Sequence, residues 1–210
     1  MLNLFGAKEK FAIGYMFEDE EDTWGSIQVW VNGENLCQFK DGKQIYEHEG
    51  DLYYIPEWFC DKIEYILGYD AYPLPIKGES LLEIDNIARA YESDDFMEDD
   101  LWRGAINRWT LNHCWLSSRD GSVFPSIFFW RFDEKNMDIS WDNRFWREHG
   151  VLFLSETGSI KVPYNDFKTI LLEFLYTIID DIMLRVPNKE IVYEWKKTLL
   201  FLEGKDISYY

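Results

Sequence analysis

Cysteine is scarce in this sequence of 210 residues, which contains only Cys37, Cys60 and Cys114. An odd number of widely separated cysteines, without a Cys-x-x-Cys pair, argues against a disulfide framework and against a zinc knuckle. Such usage is typical of a reducing compartment, so we predict a cytoplasmic protein. Histidine is equally sparse, with three residues that lie far from one another. The composition therefore predicts no bound metal and no other cofactor.

Catalytic motifs and membrane segments are also missing from the sequence. It has no glycine-rich phosphate loop, no nucleophile elbow and no His-Glu-x-x-His pair. The N-terminus lacks a basic start followed by a long apolar run, so we predict no signal peptide. The longest apolar stretch, at residues 170–183, is interrupted by Glu173, Asp180 and Asp181. This interruption predicts no membrane span.

Positive charge is in short supply, because 21 basic residues stand against 39 acidic ones and leave a formal net charge of −18. A field of this sign repels phosphate backbones, so we do not expect nucleic acid as a partner. The same field attracts basic proteins and accelerates their capture at low salt. Aromatic residues make up 18% of the chain, enough for a core and for exposed rings at a binding face.

The predicted centre of the fold is an antiparallel hairpin. An apolar run at residues 127–132 is followed by a turn-prone tetrapeptide at 133–136 and a return strand at 137–141. The outgoing strand is apolar on nearly both faces, which places it in the middle of a sheet. On the return strand we expect Trp141 to be buried opposite Phe128 or Trp130.

The polar face of the return strand carries Asp138, Ser140 and Asp142. A cation site or an acid–base pair fits these residues, and solvent-facing polar alternation explains them equally well. Residues at i and i+4 of a strand lie roughly 13 Å apart, too far for a two-carboxylate mechanism without further groups.

Further elements follow from hydrophobic periodicity and turn residues. Strands of a β-meander are predicted at residues 11–17, 26–31, 35–39, 44–49 and 52–55, with a hairpin turn at Asn32-Gly33. Helices are predicted at residues 56–67, 79–91, 166–185 and 189–203. We therefore predict a single α+β domain over residues 1–210, in which an antiparallel meander with the central hairpin packs against helices that include a C-terminal pair.

Two stretches are less clearly patterned. Residues 101–117 fit either a helix or a strand, and we favour a strand at 108–116 with Trp109, Leu111, His113 and Trp115 on one face. Residues 151–154 and 160–162 flank a turn-prone segment and predict a further hairpin.

Two acidic runs are the strongest candidates for a functional surface. Six of the nine residues from Glu92 to Asp100 are acidic, and Phe96 and Met97 lie among them. An apolar anchor ringed by negative charge is expected opposite a basic protein, whereas the alternative is a solvated loop whose Phe96 enters the core. The predicted partner-binding residues are Asp94, Asp95, Phe96, Glu98, Asp99, Asp100 and Trp102, together with the first run, Glu18, Asp19, Glu20, Glu21 and Asp22.

A family resemblance points the same way. The residues that carry it are Val31-Asn32-Gly33, His113, Asp120-Gly121, Pro125, Phe128, Arg131 and Ile139-Ser140-Trp141-Asp142. In these the chain resembles uncharacterised small bacterial proteins, some of them associated with toxin-immunity loci. The resemblance implies a stoichiometric binder that blocks a toxin's active site through an acidic surface, and it brings no catalytic motif.

Three functions therefore remain open. The first is an acidic protein-binding module, an immunity protein or inhibitor that blocks a basic, nuclease-like toxin. The second is an enzyme with an aromatic-lined pocket that uses His113 and a carboxylate, Asp138 or Asp142. The third is a structural or regulatory subunit that buries its aromatic residues in a homodimer. We predict no catalytic residue for the first and the third.

Overall fold

The fold combines antiparallel sheets with α-helices, which confirms the predicted α+β class. This computed structural model describes residues 1–115, 123–186 and 189–204. The strands are β1 (Asn3–Ala7), β2 (Phe11–Phe17), β3 (Trp24–Val31), β4 (Glu34–Asn35), β5 (Gln38–Asp41), β6 (Gln44–Glu47), β7 (Glu49–Asp51), β8 (Cys114–Trp115), β9 (Ile127–Arg131), β10 (Asn136–Asp142), β11 (Leu152–Phe153) and β12 (Thr157–Pro163). The helices are α1 (Tyr54–Leu67), α2 (Leu81–Arg89), α3 (Phe96–His113), α4 (Tyr164–Arg185) and α5 (Glu190–Leu202), with a 3-10 helix at Arg144–His149.

The first sheet is the N-terminal meander, in the order β1-β2-β3-β4, and β7 pairs with the start of β3. The predicted turn at Asn32-Gly33 joins β3 to β4. Both residues have positive φ, 51° and 84°, as the tight two-residue hairpin turn requires. The turn prediction is therefore confirmed.

The second sheet is built around the predicted central hairpin, with the order β12-β10-β9-β8. The turn is held by Asp133, whose Oδ1 accepts hydrogen bonds from the backbone N–H groups of Lys135 and Asn136 at 2.7 and 2.8 Å. The register pairs Trp141 with Ile127 and Ser140 with Phe128. Trp141 is buried as expected, but the expected partner was wrong by one residue, so its ring points to the opposite face from Phe128.

Strand β9 is covered on both faces, as its two-sided apolar pattern predicted. Ile127 and Phe129 belong to the main core, whereas Phe128 and Trp130 belong to a second cluster formed with α2 and α3. The two clusters lie on opposite sides of the strand because successive side chains alternate.

A third sheet, in the order β11-β5-β6, corrects two predicted hairpins. Strand β6 pairs with β5, whereas Leu52 and Tyr53 form a turn and helix α1 begins at Tyr54, so residues 52–55 are not a strand. Strand β11 pairs with β5, while β12 pairs with β10, so residues 151–154 and 160–162 are not a hairpin. The pairing of Leu152 with Lys40 joins residues distant in sequence, which a local pattern does not specify.

The main core lies where α1 and α4 meet the sheets. The ring of Phe59 on α1 lies 4.8 Å from that of Trp115, 5.6 Å from Phe129 and 6.2 Å from Phe174. Helix α4 buries the predicted face with Phe174 and Ile178. Its Glu173 and Asp180 are exposed, as the periodicity predicted.

The region around residue 108 corrects a further prediction. It lies within helix α3, and only Cys114–Trp115 forms a strand. The buried residues Ile106, Trp109 and His113 recur at helical spacing, whereas Leu111, placed on the same strand face by our prediction, is 62% exposed. The first turn of this helix is capped by a carboxylate, as described next.

Candidate protein-binding surface

The acids at the start of α3 form the helix terminus. The Asp95 side chain is the N-cap and accepts hydrogen bonds from the backbone N–H groups of Met97 and Glu98 at 2.8 and 3.4 Å. The Glu98 carboxylate accepts from Tyr91 Oη at 2.9 Å and from Ser93 Oγ at 2.7 Å. The Asp95 bonds satisfy two otherwise unpaired N–H groups, and both carboxylates place negative charge at the positive end of the helix.

Three further acids in this run, Asp94, Asp99 and Asp100, differ in their partners from Asp95 and Glu98. Asp99 forms an ion pair with Arg103, at 2.7 Å between Oδ2 and Nε. Asp94 and Asp100 are exposed, and no hydrogen bond or ion pair joins either carboxylate to another described residue. Their charges are therefore available to a binding partner.

Large apolar side chains protrude from the same end of α3. Phe96 is 82% exposed, Met97 72% and Leu101 68%. Met97 and Leu101 are neighbours at i and i+4 on the helix surface. The alternative in which Phe96 enters the core is therefore wrong. We call Phe96, Met97 and Leu101, with Asp94 and Asp100, the α3 surface.

Trp102, the other predicted aromatic residue, is held against α2. Its Nε1 donates a hydrogen bond to the carbonyl oxygen of Ala88 at 2.8 Å, and its ring lies 4.2 Å from that of Tyr91. Trp102 is half-buried. It supports the start of α3 from behind rather than extending toward solvent.

The first acidic run, Glu18 to Asp22, forms the exposed turn between β2 and β3. Asp19 Oδ1 accepts from the backbone N–H groups of Glu21 and Asp22, at 2.8 and 3.1 Å. Asp22 Oδ1 accepts from the N–H of Trp24 at 2.8 Å. No hydrogen bond or ion pair between described residues joins this turn to the α3 surface, so we treat the two as separate charged regions.

His113, the predicted catalytic histidine of the enzyme hypothesis, is fully buried. Its ring stacks on Trp109 with 3.9 Å between centroids, and its Nδ1 lies 2.9 Å from the Trp109 carbonyl oxygen. The carboxylate that approaches it is Asp70, with Oδ2 3.7 Å from Nε2. Burial lowers the pKa of His113, so the ring is neutral near pH 7.

The polar face of β10 lies beneath α2 instead of facing water. Asp138 and Ser140 are fully buried, and the Ser140 hydroxyl donates to Asp138 Oδ1 at 2.5 Å. Asp138 Oδ2 accepts from the backbone N–H of Leu81, the first residue of α2, at 3.2 Å. Burial raises the pKa of Asp138. The Asp138 carboxylate therefore accepts a hydrogen bond from the N-terminus of α2, which is a structural role.

The structure does not bring the residues of the enzyme hypothesis together. Asp142 binds Arg144, with 2.9 Å between Oδ1 and Nε. Within the described ranges, no hydrogen bond or ion pair links His113 to Asp138 or to Asp142. Each of these polar groups has its own local partner, so no acid–base pair is assembled from them.

Metal-binding clusters and membrane-spanning helices are absent from the part of the chain that the structure describes. Residues 1–115, 123–186 and 189–204 contain no group of three or more His, Cys, Asp or Glu side chains arranged to hold a metal ion. No helix in these ranges is long and apolar enough to cross a membrane. All three cysteines are buried thiols, and burial raises the pKa of Cys60 to about 12. A thiol with so high a pKa is a poor nucleophile.

The sequence prediction did not include Leu101 in the candidate surface. Its position four residues after Met97, directly behind the acidic run, is the signal that would have identified it once α3 was recognised as a helix. Comparison of the chain with protein-family models, with curated proteins and with solved structures gave no match. The resemblance to immunity proteins therefore stays a prediction.

Proposed function

We propose that this protein is an acidic protein-binding module that captures a basic protein through the α3 surface. The single observation that carries the proposal is the protrusion of Phe96, Met97 and Leu101 beside the unpaired carboxylates of Asp94 and Asp100. The specific form that we propose is an immunity protein or inhibitor, which blocks a basic toxin stoichiometrically.

The apolar part of the α3 surface supplies the binding free energy. Removing a large apolar side chain from water contributes about 1.5–3 kcal/mol, and three such groups lie within two helical turns. Isolated exposed apolar residues are ordinary, but a cluster rimmed by polar groups is typical of an interaction site. Burial of these three side chains against a partner is thus the expected source of affinity.

The charged part of the surface selects the partner. Asp94 and Asp100 contribute to the formal net charge of −18. A protein with a basic surface is therefore attracted over a distance, and one with an acidic surface is repelled. A second copy of this chain carries the same charges, which disfavours the homodimer alternative at this surface. A basic protein is therefore the partner that fits the observed charge.

The α3 surface is also rigid before binding. Asp95 and Glu98 fix the helix terminus through four hydrogen bonds, and Trp102 ties it to the end of α2. Side chains presented by an ordered helix lose less conformational entropy on binding than those of a loop. This preorganisation favours a tight, stoichiometric complex of the kind that an inhibitor needs.

The experiment measures the complex with a basic protein captured from a lysate, using purified wild type and variants. Phe96→Ala with Leu101→Ala should weaken binding by about 2–4 kcal/mol, mainly through faster dissociation. The matched control is Phe201→Ala with Leu184→Ala, two exposed apolar residues outside the α3 surface, and it should bind as the wild type does.

The inhibitor form makes a further demand on the same complex. If the partner is a toxin, its activity should disappear at an equimolar amount of this chain, and the Phe96→Ala/Leu101→Ala variant should restore it. Equal binding by both pairs of variants would refute the α3 surface as the interface. Activity that persists in the saturated complex would refute inhibition and leave binding alone.

A further inference from the structure

A cleft of about 650 Å³ lies between α1 and α5, away from the α3 surface. Residues of both helices line it, together with His48, Trp115 and Phe124. Its volume is in the range of small-molecule sites. No residue of the α3 surface lines it, so the cleft is a separate feature of the fold.

Aromatic side chains form much of the wall. Trp58 and Trp115 stack with 6.2 Å between their centroids, and Phe124 meets Trp115 edge to face at 4.6 Å. Trp195 of α5 lines the other side. Aromatic rings cover the aliphatic part of a ligand, and their faces attract positive charge.

The charged side chains that line the cleft, among the residues that the structure describes, are all acidic. No Lys or Arg lies among the described residues that line it, whereas five carboxylates do: Asp51, Glu57, Asp61, Glu64 and Glu194. Asp61 and Glu194 each pair with a lysine, Lys62 and Lys197, that is not part of the lining. No described residue forms an ion pair with Glu64. An anionic ligand is therefore repelled from the cleft, whereas a cationic one is attracted to it.

His48 adds a buried acceptor to the cleft. It is only 5% exposed, and its Nδ1 lies 3.0 Å from the carbonyl oxygen of Val123. A carbonyl only accepts, so Nδ1 carries the proton and donates it. Burial lowers the pKa of His48, so the ring is neutral and Nε2 presents a lone pair. Within the described residues Nε2 has no hydrogen-bond partner, so its lone pair is free to accept a hydrogen bond from a ligand in the cleft.

We propose that this cleft binds an organic cation, an alkylammonium or guanidinium group carried on an aliphatic chain. Its N–H donates to His48 Nε2, Glu64 and Glu194 balance its charge, and the tryptophans cover its methylene groups. The ligand chemistry has two possible sources, a free polyamine-type molecule or a Lys or Arg side chain of a protein. The proposal does not rest on the binding of a partner at the α3 surface.

The test titrates the full chain with spermidine and, separately, with an acetylated and amidated Gly-Arg-Gly tripeptide, by calorimetry. Saturable binding to one site is expected for at least one of them, and the tighter of the two identifies the source. Glu64→Gln with Glu194→Gln should weaken it about tenfold or more. Glu9→Gln with Glu148→Gln removes the same charge at exposed positions outside the cleft and should change it less than about twofold.

Nuclear magnetic resonance of the indole N–H groups locates the site. Spermidine or the tripeptide should shift the indole signals of Trp58, Trp115 and Trp195. The signals of Trp102 and Trp130 should stay unchanged, because the Nε1 atoms of these two residues already donate hydrogen bonds to backbone carbonyl oxygens. Equal loss of affinity in both Glu→Gln pairs would show general attraction to an acidic protein and overturn the proposal. Equal binding of triethylene glycol, a neutral chain, or binding of neither cation, would overturn it as well.

Discussion

Neutralising the acids at the start of α3 one group at a time should separate their structural and functional roles. Asp95 bonds two backbone N–H groups of the helix, whereas Asp94 and Asp100 bond no described residue. If the run were a solvated loop, Asp94, Asp95, Asp99 and Asp100 would be equivalent for folding. The structure predicts instead that Asp95→Ala destabilises the protein and that Asp94→Asn with Asp100→Asn does not.

The magnitude follows from the bonds that are lost. Replacing an N-cap aspartate by alanine costs about 0.5–2 kcal/mol, because the first-turn N–H groups lose their acceptor. Asp95→Asn keeps an acceptor oxygen in the same place, so it should lower the free energy of unfolding by only about a few tenths of a kcal/mol, even though it removes the same charge. Comparison of the Ala and Asn variants thus separates the cap from the charge.

The assay is urea unfolding of the three variants beside the wild type, followed by association kinetics with a basic partner. Asp95→Ala should lower the unfolding midpoint without changing the slope. Asp94→Asn with Asp100→Asn should keep the midpoint, slow association, and reduce the salt dependence of its rate. An Asp95→Ala variant as stable as wild type would refute the capping role. A neutralised pair that associates at the wild-type rate would refute electrostatic capture by these two carboxylates.

Three further predictions concern the core. Phe174→Asp places an unpaired charge among fully buried side chains of α4 and should abolish soluble expression, whereas normal yield and stability would contradict this packing. Gly158→Ala should cost about 1–3 kcal/mol, because the added Cβ would lie within 2.7 Å of Trp141 Cη2, and combining it with Trp141→Leu should cost less than the sum of the two changes; additive urea-unfolding free energies would refute this contact. Asp138→Asn tests the buried carboxyl by pH. The folded pKa is raised, so the stability that Asp138 contributes is complete below its ordinary pKa of about 3.9 and is lost as pH rises through the folded pKa. The unfolding free energy of wild type minus that of Asp138→Asn should therefore fall as the pH rises above about 3.9, and a constant or rising difference would disprove the raised pKa.

The sequence determined those parts of the molecule that local signals specify. The Asn32-Gly33 turn was predictable because few residue pairs adopt positive φ at both positions. The β9–β10 hairpin and the buried face of α4 followed from short-range alternation and helical periodicity. The start of α3 was not predicted: Asp95 stands at its N-cap, but the sparse apolar stripe that follows favoured a strand at 108–116.

Only the tertiary structure decided where the polar and aromatic groups lie. Asp138 has the alternating position of a solvent-facing residue on β10. Packing of α2 nevertheless buries it, and its carboxylate accepts a hydrogen bond from the backbone N–H of Leu81. Phe96 follows the pattern of either a core residue or an anchor, and only the position of α3 leaves it in water. The cleft combines His48 with side chains of α1 and α5 that are distant in sequence. Such sites depend on long-range packing, whose partners a local sequence pattern does not name.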